Sequence, residues 1–133
     1  MVAHEYAHGY AALRQGDPTA YMLGRLTFNP IKHIDPWMTV MVPLLLWFST
    51  GGRMVFGGAK PVPVNPRNYR NYRRGDIIVS LAGIATNLVL AAASLAVFVV
   101  VGVVGAAVPD ITATLAILQR MMLWGIWLNL LLA

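Results

Sequence analysis

The sequence predicts a mainly α fold: a polytopic transmembrane helical core with short extended and hairpin segments. Three observations point there. Of the 133 residues, 58% are hydrophobic and only 11% are charged, with a mean hydropathy of +0.64. Soluble domains carry about 25% charged residues, so a chain this apolar cannot cover a water-facing surface. Residues 77–108 contain no Asp, Glu, Lys, Arg or His, a run longer than the ~20 apolar residues that cross a bilayer. The extra length permits tilt. A second apolar stretch, residues 111–133, carries one charge, Arg120, with polar Gln119 and Asn129.

The elements follow in order. Residues 2–15 read as a helix, with Tyr6, Tyr10 and Leu13 at helical spacing and Gly16-Asp17-Pro18 as its stop signal. Residues 21–28 suit a short strand, bent at Gly24. Asn29-Pro30 and Asp35-Pro36 mark turns. Residues 37–48 read as a helix too short for a full span, kinked at Pro43. Residues 49–58 are glycine-rich and suit a hairpin or an irregular loop. Pro61, Pro63 and Pro66 around Val62 and Val64 favour an extended segment. Residues 67–74 suit a polar turn or a short helix, in which Tyr69 and Tyr72 suit a membrane–water boundary. A long helix is expected from Asp76 to about Val108, ended by Pro109-Asp110, and a last helix from Ile111 to Ala133.

Charge and composition narrow the functional classes. With no cysteine, disulfides and thiolate metal sites are excluded. Net charge is +5, and half of the ten Lys and Arg lie between Lys60 and Arg74. Beside an uncharged span such a loop follows the positive-inside rule, so it is expected to be cytoplasmic rather than a nucleic-acid patch. No basic or apolar leader precedes His4, so no signal peptide is read. One membrane-embedded domain over residues 1–133 is expected, cut at both ends.

The chemistry sits at His4-Glu5-Tyr6-Ala7-His8. On a helix, residues four apart share one face about one turn along the axis. Two imidazoles at that spacing can reach one zinc ion, and the adjacent Glu5 can take a proton from a water that zinc has acidified. Two histidines merely packed in a helix give the same pattern. What favours metal is context, because ionisable groups within apolar helices are costly and usually functional. A catalytic zinc usually has three protein ligands. The remaining candidates are Asp17, His33, Asp35, Asp76 and Asp110. Asp17 and Asp35 read first as turn residues, Asp76 as an acidic group at the positive end of the long helix, and Asp110 as part of an interhelical turn. None stands out.

HEYAH at residues 4–8, GRLTFNPIKHIDP at 24–36, GGAKPVPVN at 57–65 and NYRRGDIIVSLAGIATN at 71–87 together resemble the bacterial and archaeal site-2 protease family of intramembrane metallopeptidases. The resemblance implies that His4 and His8 are metal ligands and that Glu5 is the catalytic glutamate. It implies that Asn87 positions the substrate backbone or the developing oxyanion, although an asparagine there also suits a hydrogen bond between helices. It further implies zinc as the cofactor, a transmembrane protein as the substrate, the lipid bilayer as the surroundings, and a bacterial or archaeal cell membrane as the location. The family's third ligand is an aspartate in a downstream segment, expected beyond Ala133. Ile84 departs from the family, which commonly has proline there. The expected activity is zinc metalloendopeptidase cleavage in or near transmembrane segments. The rival expectations are a non-catalytic scaffold that binds membrane proteins, and a membrane structural or transport protein in which His4 and His8 line a polar cavity.

Overall fold

In the computed structural model, residues 1–107 and 112–133 are described, and they form two compact units, residues 1–82 and 83–133. The first unit begins with α1 (Val2–Gln15). Gly16 ends it at φ 112°, where its N–H reaches the Leu13 carbonyl and the Asp17 N–H reaches the Ala12 carbonyl. Glycine adopts this left-handed conformation without the Cβ penalty, so the sequence-read stop is where the helix ends.

The strand expected over residues 21–28 does not form, nor does the hairpin, and the described residues contain no strand. The chain instead makes a short helix, α2 (Thr19–Met22). The Asp17 carboxylate accepts the N–H and hydroxyl of Thr19 and so starts a helical turn. Gly24, at φ 62°, closes it by the same device as Gly16, with hydrogen bonds from Gly24 N–H to Tyr21 and from Arg25 N–H to Ala20. These local bonds at both ends outweigh the strand preference of the intervening residues.

Three Asx-Pro steps shape the rest of the unit. Asn29, Asp35 and Asn65 each accept the backbone N–H two residues on, opening the 3₁₀ turn Pro30–His33, the π-helical turn Pro36–Met41 and the 3₁₀ turn Pro66–Asn68. The π turn runs into α3 (Val42–Ser49). Pro43 has no N–H to offer the preceding turn. The carbonyl of Met38, its would-be i+5 acceptor in a π-helix, is taken by Gly58 N–H at 2.9 Å instead. The turn before Pro43 is therefore widened, and its freed carbonyl anchors a distant segment.

The long helix, α4 (Tyr72–Ala107), starts four residues earlier than the sequence suggests. Its signal is Asn71, whose side chain accepts Arg74 N–H at 3.1 Å as an N-cap. A small core joins α1 to the start of α4: Tyr69 packs with Ala12 and Val79. A Cβ on Gly75 would lie 2.8 Å from the Tyr69 ring, so glycine makes room for it. Burial pushes the Tyr69 hydroxyl pKa up, and the negative charges of Asp17 and Asp76 add to the effect.

The second unit contains the rest of α4 and α5 (Thr112–Leu131). Small residues let these helices approach. Gly102 faces Gln119, Gly105 faces Leu115, and Gly125 faces Ser94. The Gln119 amide reaches the Phe98 carbonyl at 3.5 Å. Both helices are long and apolar enough to cross a membrane. Val89, Val100 and Val103 of α4 and Trp124, Trp127 and Leu131 of α5 are more than half exposed. Apolar surface of this extent suits lipid rather than water. Asp110, with the break expected at Pro109-Asp110, lies outside the described residues.

Candidate metal centre

Helix α1 carries His4, Glu5 and His8, all half-buried. One turn of helix brings the two imidazoles together, with ring centroids 4.7 Å apart and planes at 74°. Their Nε2 atoms lie 3.0 Å apart. Two nitrogens bound tetrahedrally to one zinc, each at about 2.0–2.1 Å, would lie about 3.3 Å apart. The pair is thus within a few tenths of an ångström of the spacing a shared ion requires.

The other ring nitrogen of His8 fixes its tautomer. Nδ1 lies 2.7 Å from the Val79 carbonyl of α4, and a carbonyl only accepts, so Nδ1 carries the proton and Nε2 presents a lone pair. Backbone carbonyls hold many metal-ligating histidines in this way.

Glu5 is held from a distant part of the chain. Its Oε2 accepts the Val62 N–H at 2.8 Å, and its Oε1 accepts no hydrogen bond from the described residues. Val62 lies in a strap, residues 57–65, that hangs on a series of anchors. Gly58 N–H donates to Met38 O and Lys60 N–H to His33 O. The Arg25 guanidinium donates to the Lys60 and Pro61 carbonyls at 3.1 and 3.4 Å. Asn65 N–H donates to the Asp17 carboxylate at 2.6 Å. The strap has no helix or strand of its own and gets its shape from these bonds.

The other ligand candidates are occupied elsewhere. Asp17 is fully buried and accepts from Thr19, Asn65 and Asn68. Burial alone would push its carboxyl pKa up, but these donors together hold it below the usual value. Asp35 caps the π turn, and the N–H groups of Met38 and Trp37 lower its pKa. Buried His33 has Nε2 2.9 Å from the Thr27 carbonyl. Asp76 is exposed near the start of α4. Among the described residues, no group of three His, Cys, Asp or Glu could hold a metal ion. The residues present fit two imidazole ligands of a zinc ion beside a carboxylate.

Asn87 belongs to the second unit. It is fully buried, and its carboxamide has no hydrogen-bond partner among the described residues. A buried amide without a partner is costly. The sequence reading did not single out the Val79 carbonyl, the Val62 N–H or Arg25. Their contacts span 71, 57 and 35 residues, and although all three lie within the segments 24–36, 57–65 and 71–87, no spacing in the sequence pairs them with α1 or with one another.

Comparison with known proteins identifies the family. The model for peptidase family M50 matches residues 1–130. "Putative zinc metalloprotease YwhC" of Bacillus subtilis is 46% identical over 88 residues, 66% of this chain and 36% of that protein. "Putative zinc metalloprotease Rip2" of Mycolicibacterium smegmatis is 38% identical over 91 residues, 68% of this chain and 33% of that protein. The chain spans about a third of the length of these relatives. No solved structure matches the chain significantly. The family match runs from the first residue to residue 130, so the chain belongs to peptidase family M50, the membrane-associated site-2 protease family.

Proposed function

We propose that this chain is the metal-binding core of an intramembrane zinc metalloendopeptidase that cleaves peptide bonds in or near transmembrane segments of other proteins. The observation that carries the reading is the convergence of the His4 and His8 Nε2 atoms at 3.0 Å, with Glu5 beside them. The M50 match and the two zinc metalloprotease relatives support it.

Each residue has a defined task. His4 and His8 would hold zinc through Nε2, and the Val79 carbonyl fixes the orientation of the His8 ring. When bound, zinc supplies a Lewis acid and lowers the pKa of water toward 7. Glu5 has one oxygen tied to Val62 and the other open. The open oxygen takes the proton of the attacking water and passes it to the amine nitrogen as the C–N bond breaks. Asn87, with its unpartnered carboxamide, donates to the substrate backbone or to the oxyanion that forms on it.

The third ligand comes from outside the described residues. The substrate is a transmembrane protein whose cleaved segment is locally unwound. Of the two pieces considered for strand addition, residues 23–28 and 62–64, the second pairs with that segment through groups other than the Val62 N–H, which Glu5 occupies. The protein resides in a cell membrane with the loop from Lys60 to Arg74 on the cytoplasmic side.

The test is cleavage of a model transmembrane substrate by the full-length protein in detergent. Glu5→Gln keeps both imidazoles, so zinc should remain bound while the rate falls about 10²–10⁴-fold. Cleavage at the normal rate by Glu5→Gln would overturn the reading.

A further inference from the structure

The Pro61–Val62 peptide is gripped on both sides. Its N–H donates to Glu5 Oε2 at 2.8 Å, and its carbonyl accepts from Arg25 Nη2 at 3.4 Å. In a trans peptide these two groups point in opposite directions, and there are no cis peptide bonds among the described residues. Arg25 and Glu5 therefore approach opposite edges of one amide plane. The same guanidinium nitrogen also holds the preceding carbonyl, Lys60, at 3.1 Å, and the Lys60 N–H is fixed to His33 O at 2.9 Å. Pro61 and Pro63 flank Val62 and restrict the segment further.

We infer that Arg25 is a positioning residue for the catalytic glutamate, acting through the Pro61–Val62 peptide. A cation on the carbonyl and a carboxylate on the N–H polarise the amide in the same direction, and hydrogen bonds in such a chain strengthen one another. The carboxylate is held by Oε2, which leaves Oε1 for the water. Arg25 makes no direct ion pair with Glu5. It fixes the amide that fixes the carboxylate. Nη2 carries two N–H groups, and so this one nitrogen can hold two successive carbonyls. The inference deepens the proposed reaction and rests on Glu5 being its general base.

Two measurements on the full-length protein test it. The first needs no activity: the amide proton shift of Val62 in the metal-free protein, by NMR. An N–H held by a carboxylate resonates downfield. Glu5→Gln and Arg25→Ala should each move it upfield, and Arg25→Lys, which can still reach one carbonyl, should restore part of the shift. The second is steady-state cleavage of a model transmembrane substrate. Arg25→Ala should lower kcat about 10-fold or more with KM and bound zinc unchanged, in the range seen when groups that orient a metal site's first contacts are removed. Val62→Pro deletes the N–H without touching Arg25 and should lower kcat similarly, which keeps the proposal testable if Arg25→Ala folds poorly. In a Glu5→Asp background, whose shorter side chain falls short of Val62, Arg25→Ala should add no further loss. An unmoved Val62 proton in Arg25→Ala overturns the proposal. So does a wild-type kcat in Arg25→Ala or Val62→Pro, or a kcat loss that only tracks lost zinc. If Glu5→Gln itself cleaves normally, the proposed reaction fails first; if Glu5→Gln is inactive while Arg25→Ala is normal, only the positioning role fails.

Discussion

Replacing Asp17 by Ala removes the one carboxylate that ties the end of α1 to both α2 and the end of the strap. It accepts Asn65 N–H at 2.6 Å, Asn68 Nδ2 at 2.9 Å, and the N–H and hydroxyl of Thr19. The Thr19 contacts are local, and that residue is only half-buried, so water can replace them. The Asn65 and Asn68 contacts hold segments about fifty residues away. A hydrogen bond to a charged group contributes about 1.5–3 kcal/mol, and a stranded buried donor costs about 1–3 kcal/mol. Asn65 and Asn68 are exposed residues whose donors regain some water, so the two losses together should come to about 2–3 kcal/mol. The assay is reversible unfolding in detergent micelles, followed by circular dichroism at pH 7. The donors hold the Asp17 pKa below its usual value. Its contribution is therefore complete above the unfolded pKa of about 3.9 and is lost as pH falls through the folded value. The gap between wild type and Asp17→Asn should be wide at neutral pH and close in acid. A stability of Asp17→Ala within about 0.5 kcal/mol of wild type at pH 7, or a gap that widens in acid, would refute the reasoning.

Two further outcomes are expected. Asn87→Leu removes an amide that satisfies no partner among the described residues, so unfolding should shift by less than about 1.5 kcal/mol while kcat of the full-length enzyme falls about 10²–10³-fold. A large stability loss with kcat intact would make Asn87 structural. Gly57→Ala would place a Cβ 2.7 Å from Pro43 Cγ and 2.9 Å from Met38 O, so it should destabilise by about 1–3 kcal/mol, read by the same unfolding assay. A neutral Gly57→Ala would mean that the strap does not pack on α3 as described.

What the sequence disclosed was local. The His4–His8 spacing fixes a shared face wherever a helix forms, and the stop at Gly16-Asp17-Pro18 is chemistry between neighbours. The absence of charge over residues 77–108 revealed α4 from its lipid-compatible length, but Asn71 as its cap went unread, and so its start was placed at Asp76. The strand expected over residues 21–28 failed because the Asp17–Thr19 and Gly24 hydrogen bonds set the backbone there, and hydropathy does not register them. The prolines set the strap apart from the helices, but its placement was not legible. Met38, His33, Arg25, Glu5 and Asp17 hold it from five separate points of the preceding chain, and such pairings have no period in sequence. The distant members of the candidate site, Val62 and Val79, were missed for the same reason: each contributes a backbone group, and its side-chain type gives no sign of it.

The central claim is that His4 and His8 present two lone pairs to one metal ion. X-ray absorption at the zinc edge, on the full-length protein purified with zinc, tests it most directly. The claim predicts one zinc per chain with two imidazole nitrogens at about 2.0–2.1 Å, and one fewer in whatever zinc His8→Ala retains. A zinc shell without histidine, or no zinc bound under zinc-replete conditions, would contradict it.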